Sequence, residues 1–181
     1  MSPRGIEIER KFRLRAAPSP EVLAAHGAVA RRIEQVYLRL DPPARGDQDA
    51  PEAARVRRTE LEDGTVSFRR TTKRRVGAFA FDETEDVITE ADWSAAIARA
   101  DPDRRPVRKT RHVAAHGRQT LEIDVFEQPG GLVVVEVELA SEDEPVDLPA
   151  WLGEWREVTG DPRYLNIELA RRDAEVPAFD S

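Results

Sequence analysis

Cysteine is absent from the 181 residues of the sequence, and histidine occurs only at positions 26, 112 and 116. The missing thiols exclude disulfides and thiolate metal ligands, and three scattered histidines argue against a histidine-rich zinc site. No apolar run approaches the roughly 18 residues that a membrane-spanning helix needs, and the N-terminus has no apolar signal core. The sequence therefore predicts a cytoplasmic protein that does not enter a membrane.

Charged side chains, by contrast, are abundant. The chain carries 35 acidic and 28 basic residues for a net charge of −7, with 40% hydrophobic residues. A net negative charge argues against a general nucleic-acid binder. The length suits one domain, which we place at residues 1–174, and we expect residues 175–181 to be a disordered tail.

The stretch from residue 6 to residue 12 reads Ile-Glu-Ile-Glu-Arg-Lys-Phe. Because strand side chains alternate between two faces, Glu7, Glu9 and Lys11 share one face and the apolar residues share the other, with Arg10 as the exception. Neighbouring carboxylates repel each other unless a cation lies between them. This stretch indicates either an edge strand with a solvated face or a divalent-metal site beside an anion-binding lysine.

Hydrophobic alternation and turn residues predict an α+β fold built on eight antiparallel strands. The predicted strands are residues 6–12, 33–40, 53–61, 66–73, 78–88, 107–114, 119–127 and 132–139. The predicted helices are residues 18–32, 89–100, 150–158 and 166–173, and residues 41–51 are a predicted loop. The third of these helices would pair Trp151 with Trp155 at the helical i, i+4 spacing.

Several predicted strands combine an aliphatic face with a face of paired charges. The acidic pairs are Glu7/Glu9, Glu83/Glu85, Glu122/Asp124 and Glu136/Glu138, and the basic set is Lys11, Arg55, Arg57, Lys73, Lys109 and Arg111. For any single strand, a solvated charged face is the simpler interpretation. Across the chain, however, the charges are segregated by sign, and a barrel of about eight strands has room inside for side chains or one small ligand.

If the charged faces point inward, they line a polar tunnel, and helices or a second copy of the chain in a homodimer would cover the aliphatic faces. The tunnel would contain eight acids and six bases. A polyanion would therefore meet a site that is already negative, so the charge balance predicts that divalent cations accompany it.

The motif Glu7-Ile8-Glu9-Arg10-Lys11 resembles the ExExK signature of the CYTH superfamily, the triphosphate tunnel metalloenzymes. Later elements follow in the matching order, from Arg55/Arg57 and Lys73 through Glu83/Glu85 and 109–111 to the acidic strands 121–126 and 135–138. The resemblance runs from about residue 5 to residue 172 and is strongest to the small bacterial inorganic triphosphatases. One departure is Ile167 after Asn166, where relatives often carry a lysine.

The resemblance implies an eight-stranded antiparallel tunnel barrel with flanking helices, a C-terminal plug helix and hydrolysis of a triphosphate, most specifically inorganic tripolyphosphate. It implies substrate binding by Lys11, Arg55, Arg57, Lys73, Lys109 and Arg111, and magnesium or manganese binding by Glu7, Glu9, Glu122, Asp124, Glu136 and Glu138. Glu83 and Glu85 are further tunnel acids. Lys73 and Lys109 are both candidates for the catalytic base, since surrounding cations would lower a lysine pKa.

Other functions stay open at this level. An adenylyl cyclase or a thiamine triphosphatase would need room for an organic group at the tunnel mouth. A non-catalytic polyphosphate-binding module would gain nothing from eight inward carboxylates, and a charged β-domain without a ligand is the remaining alternative.

Overall fold

The structure is a computed structural model that describes residues 4–40, 51–76 and 80–180. Side chains are described within these ranges except at residues 4–7, 75, 80 and 81. The predicted loop at 41–51 therefore falls almost entirely outside the described residues, and so does the side chain of Glu7. None of the described helices is long and apolar enough to cross a membrane.

Nine strands form one antiparallel sheet. They are β1 (Arg4–Leu14), β2 (Val29–Tyr37), β3 (Ala53–Leu61), β4 (Val66–Arg75), β5 (Ala80–Ile88), β6 (Val107–His116), β7 (Gln119–Gln128), β8 (Gly130–Leu139) and β9 (Trp155–Glu157). The helices are α1 (Pro20–Ala25), α2 (Glu90–Ile97) and α3 (Asn166–Leu169), with 3₁₀ turns at Ala150–Leu152 and Pro162–Tyr164.

The strand order β5-β4-β3-β2-β6-β7-β8-β1 returns on itself, because β1 also pairs with β5. Residues 8–13 of β1 pair with β8, whereas residues 4–8 pair with β5. The eight long strands thus form the predicted antiparallel barrel. The short strand β9 is an addition that the sequence did not predict, and it pairs with the end of β1 from Phe12 to Leu14.

The prediction of a helix over residues 150–158 is wrong. The 3₁₀ turn Ala150–Leu152 ends at Gly153, whose φ of 77° lies in the left-handed region that glycine tolerates. The chain then extends as β9, where the Trp155 ring meets the edge of Phe12 at 5.3 Å between centroids. Trp151 instead stacks on His26, with 4.5 Å between the ring centroids.

The other helices are confirmed but shorter than predicted. Gly27, with φ of 65°, follows α1, and the chain joins the sheet at Val29 because its backbone there pairs with β6. The helix α2 has the predicted cap, in which Thr89 and Asp92 bond each other's backbone amides. The helix α3 stops at Leu169 because the next backbone groups bond the 103–105 loop.

The hydrophobic core lies mainly on the outside of the barrel. Aliphatic residues of β1, β7 and β8 pack under α1 and the segment 146–152 of the same chain. A second cluster fills one end of the lumen, where Tyr37, Phe126 and Leu132 meet Tyr164 and Leu169 from the C-terminal segment. The inner face of the barrel is therefore apolar at this end, which the segment around α3 closes as a plug.

Candidate functional site

Alternate residues of the barrel strands face one internal cavity of about 350 Å³. These are odd-numbered residues of β1 to β6 and even-numbered residues of β7 and β8. All six predicted basic residues line the cavity, namely Lys11, Arg55, Arg57, Lys73, Lys109 and Arg111. Six of the eight predicted acids also line it, namely Glu9, Glu83, Glu85, Glu122, Glu136 and Glu138.

The two other acids differ from the rest. Asp124 is 0% exposed and lies behind the cavity wall. The side chain of Glu7 is outside the described residues, although its backbone continues β1 beside Phe81 of β5. Six of the predicted acids and all six predicted bases therefore meet in one space.

Lys11 of β1 lies between two carboxylates, those of Glu9 on the same strand and Glu136 on β8. Its Nζ is 2.6 Å from Glu136 Oε1 and 2.9 Å from Glu9 Oε1. Burial alone would lower the pKa of Lys11, but the charges of Glu136 and Glu9 outweigh it and raise the pKa above its ordinary value. Lys11 therefore stays protonated and can present a permanent positive charge.

Arg111 joins three acids on β7 and β8. Its Nε and Nη2 donate to the two oxygens of Asp124 at 2.7 Å each, and Nη2 also donates to Glu136 Oε2 at 2.6 Å. Nη1 donates to Glu122. Burial would raise the pKa of Glu136, but Lys11, Lys109 and Arg111 hold it well below the usual range. Glu136 is thus an ionised, buried acid shared by several cations.

Lys109 is 2% exposed and forms an ion pair with Asp124, with its ammonium 5.2 Å from the centre of the Phe126 ring. Burial and the neighbouring charge of Arg111 lower the pKa of Lys109, and Asp124 opposes them. Lys109 and Arg111, the two basic residues of β6, therefore both pair with Asp124, which does not line the cavity. Asp124 positions cations in this structure.

The opposite wall has its own ion pairs. Glu85 accepts from Arg57 at 2.7 Å and from Arg69 at 2.5 Å, and these two arginines lie directly opposite each other on β3 and β4. Burial would raise the pKa of Glu85, but the arginine charges lower it. Lys73 Nζ is 2.6 Å from Glu83 Oε2.

Two pairs of like-charged acids face each other across neighbouring strands. Glu9 lies opposite Glu138, and Glu122 lies opposite Glu136. Like charges in this position destabilise a sheet unless a cation compensates them. Lys11 and Arg111 compensate three of these acids, whereas the exposed Glu138 has no ion pair or hydrogen bond among the described residues.

These four acids fit a hard divalent cation, because their side chains offer only oxygen atoms as ligands. Glu138 is unpaired within the described ranges, and its neighbour Glu9 faces the same cavity. In the described residues, no three acidic or histidine side chains already converge as a metal-binding group.

Sequence reasoning missed Gln35, Asn166 and a second cavity. Gln35 is 1% exposed, lines the first cavity and donates to the Tyr37 hydroxyl at 2.8 Å. Its place on the inner face of β2 follows from the same alternation, but the predicted site residues were chosen by their charge, and Gln35 is neutral. Asn166 begins the predicted C-terminal helix, but it was not predicted as a site residue because it enters the lumen from α3 and not from a strand.

The second cavity, of about 360 Å³, adjoins the first towards α3. The two share five lining residues, namely Glu9, Lys11, Arg55, Lys73 and Asn166. The second cavity also has an apolar wall, formed by Tyr37, Ala53, Leu165 and Ile167.

A family model described as CYTH domain matches residues 5–172 of the chain. The solved structure of the inorganic triphosphatase NE1496 is similar over 90% of this chain and 96% of that one, with 30% sequence identity and a TM-score of 0.55. A curated inorganic triphosphatase from Acetivibrio thermocellus is 49% identical over 53 residues, 29% of this chain. That match spans only 33% of the length of the curated relative.

Proposed function

Because the chain belongs to the CYTH family, we propose that it is a triphosphatase that hydrolyses inorganic tripolyphosphate to pyrophosphate and phosphate in the barrel cavity. The observation that carries this proposal is the convergence of six lysines and arginines with six carboxylates on one cavity of about 350 Å³. The names of the two similar triphosphatases support the same reaction class.

The basic residues would bind the substrate. Arginine guanidinium groups match phosphate oxygens in bidentate geometry, whereas lysine ammonium groups act as compact positive charges. Arg55 and Arg57 come from β3 and Lys109 and Arg111 from β6, on opposite sides of β2. Lys11 and Lys73 line both cavities, so they would hold the end of the substrate that lies towards α3.

A divalent cation, magnesium or manganese, would be held by Glu9, Glu122, Glu136 and Glu138, and Glu7 belongs to this proposal by its place in the signature. When bound, such a cation neutralises phosphate charge and lowers the pKa of a coordinated water. Asp124, predicted as a ligand, would act indirectly, because its two oxygens hold Arg111.

Hydrolysis adds water to a terminal phosphorus as the bond from that phosphorus to its bridging oxygen breaks. The enzyme's task is mainly to position the groups and to stabilise charge. The two lysines considered as catalytic base differ in exposure and charge environment. The side chain of Lys73 is 19% exposed and pairs with Glu83 at 2.6 Å, whereas that of Lys109 is 1% exposed and has a pKa lowered by burial and Arg111. Lys109 would bind phosphate and anchor Asp124.

An organic triphosphate is the second candidate substrate. The observation that favours it is the apolar wall of the second cavity, beside Tyr37 and Ile167. Thiamine triphosphatase and adenylyl cyclase activities would each use such a wall for a ring or a base.

A substrate panel tests the proposal. Tripolyphosphate, ATP and thiamine triphosphate would each be incubated with the protein and magnesium, manganese or calcium, and both phosphate and cyclic AMP would be measured. We expect phosphate release from tripolyphosphate with magnesium or manganese, and much slower release from ATP. Faster turnover of an organic triphosphate, or formation of cyclic AMP, would show that the inorganic assignment is wrong.

A further inference from the structure

The segment 176–180 lies across three arginines, namely Arg13 of β1, Arg15 just after β1 and Arg156 of β9. The Phe179 ring has the guanidinium carbons of Arg15, Arg13 and Arg156 at 4.3, 5.8 and 5.8 Å from its centre. Arg15 Nη2 also donates to Asp180 Oδ1 at 2.8 Å. The sequence predicts disorder for this segment, yet its residues make several polar contacts with the barrel.

Two of these arginines connect the segment to Tyr164. Arg13 donates to the carbonyl oxygen of Pro177 and, at 3.2 Å, to the Tyr164 hydroxyl. Arg156 donates to the same hydroxyl at 2.7 Å and to the Ala178 carbonyl oxygen at 3.3 Å. The hydroxyl of Tyr164 is therefore held by two guanidinium groups, and both of them also bond the segment.

Tyr164 is close in sequence to the residues that line the two cavities. It is 2% exposed, packs with Leu169 in the cluster that closes the lumen, and stands two residues before Asn166. Asn166 lines both cavities, and Ile167 lines the second. A shift of Tyr164 would therefore move the residues that close the substrate site towards α3.

We propose that residues 176–180 form a clasp that fixes Tyr164 through Arg13 and Arg156, and thereby positions α3 against bound substrate. The residues of the clasp are positioning residues, since none of them lines either cavity. The effect on substrate rests on the proposed function, whereas the effect on α3 does not.

The buried charge of Arg13 explains why the clasp would hold Arg13 and Tyr164 in place. Arg13 is 6% exposed, and no carboxylate pairs with it in the part of the chain that the structure describes. A buried cation is costly unless hydrogen-bond acceptors surround it. The Pro177 carbonyl and the Tyr164 hydroxyl both accept from Nη1, and the Phe179 ring lies over the guanidinium, so loosening the segment would remove one of these acceptors and favour a different position for Arg13 and Tyr164.

The test is Phe179→Ala in the full chain, with Phe179→Tyr as the conservative variant that keeps the ring. Trp155→Ala is the matched control, because Trp155 is a partly exposed ring on β9 that packs on Phe12 rather than on the clasp. Two quantities are measured: hydrogen exchange at the amides of residues 169 and 170, which bond within α3, and steady-state hydrolysis of tripolyphosphate with magnesium.

For Phe179→Ala we expect about tenfold faster exchange at these amides, which corresponds to about 1.4 kcal/mol. We also expect a KM for tripolyphosphate raised about three- to tenfold with kcat within about twofold, the pattern of lost substrate binding. Phe179→Tyr and Trp155→Ala should retain wild-type values of both.

Unchanged exchange in Phe179→Ala would overturn the clasp, and so would faster exchange with an unchanged KM, because the segment would then not position the site. The same KM increase in Trp155→Ala would also overturn it, since general loosening of β9 would explain the result. If wild-type protein hydrolyses no triphosphate, the proposed function fails, and the exchange measurement alone decides whether the clasp exists.

Discussion

Glu136 and Glu138 stand two residues apart on one face of β8, and both are proposed metal ligands, yet their surroundings differ. Glu136 is 7% exposed and accepts from Lys11 and Arg111 at 2.6 Å each. Glu138 is exposed, lies opposite Glu9, and has no ion pair within the described ranges. Replacing each by glutamine removes one charge while nearly preserving the shape of the side chain.

The structure predicts very different effects of the two substitutions on stability. Removing one partner of a buried ion pair typically costs about 3–5 kcal/mol. For Glu136→Gln we expect a smaller cost than this, about 2–3 kcal/mol, because Lys11 keeps Glu9 and Arg111 keeps Asp124 as partners. At about 2–4 °C per kcal/mol for a chain of this size, the metal-free Tm should fall by about 4–12 °C.

For Glu138→Gln we expect no loss of stability beyond about 0.5 kcal/mol. The change also relieves the repulsion between Glu138 and Glu9, which favours a small gain in stability. Activity should nevertheless fall in both variants by orders of magnitude, with more metal needed for saturation, if both carboxylates hold a cation.

The assays are thermal melting with and without magnesium and tripolyphosphate hydrolysis across a magnesium titration. Equal melting temperatures for the two metal-free variants would refute the ion-pair argument for Glu136. A wild-type magnesium response in Glu138→Gln would refute its assignment as a ligand.

Arg57→Ala should lower kcat/KM for tripolyphosphate at least tenfold, mainly through a higher KM, because it removes a guanidinium group from the cavity. Arg39 is exposed on the surface, so kcat/KM of Arg39→Ala should stay within about twofold of the wild-type value. Equal effects of the two substitutions in steady-state kinetics would place Arg57 outside the substrate site. Asp124→Asn should lower the free energy of unfolding by about 3–5 kcal/mol, because it leaves the buried Lys109 ammonium without its paired charge. Asp173→Asn, which weakens an exposed ion pair, should cost less than about 1 kcal/mol in the same denaturant titration, and similar losses in both would contradict the account of Asp124.

Much of the site could be predicted because a strand places side chains with a period of two. That period put Glu9 with Lys11, Lys109 with Arg111 and Glu136 with Glu138 on common faces, before any pairing of strands was known. The signs of these charges then indicated a lumen that binds a polyanion. The predicted helix that contains Trp151 and Trp155 is wrong, because the pairing of β9 with β1 outweighs the helical spacing of the two residues.

The sequence by itself thus determined which residues share a face and which chemistry that face can perform. Only the tertiary structure decided which acid meets which base, because Lys11 and Glu136 are 125 residues apart and meet through the register of β1 with β8. It also put Asp124 behind the cavity wall, placed Asn166 in the lumen and brought Phe179 against Arg15. These choices depend on contacts between distant segments, and alternation within one strand carries no information about them.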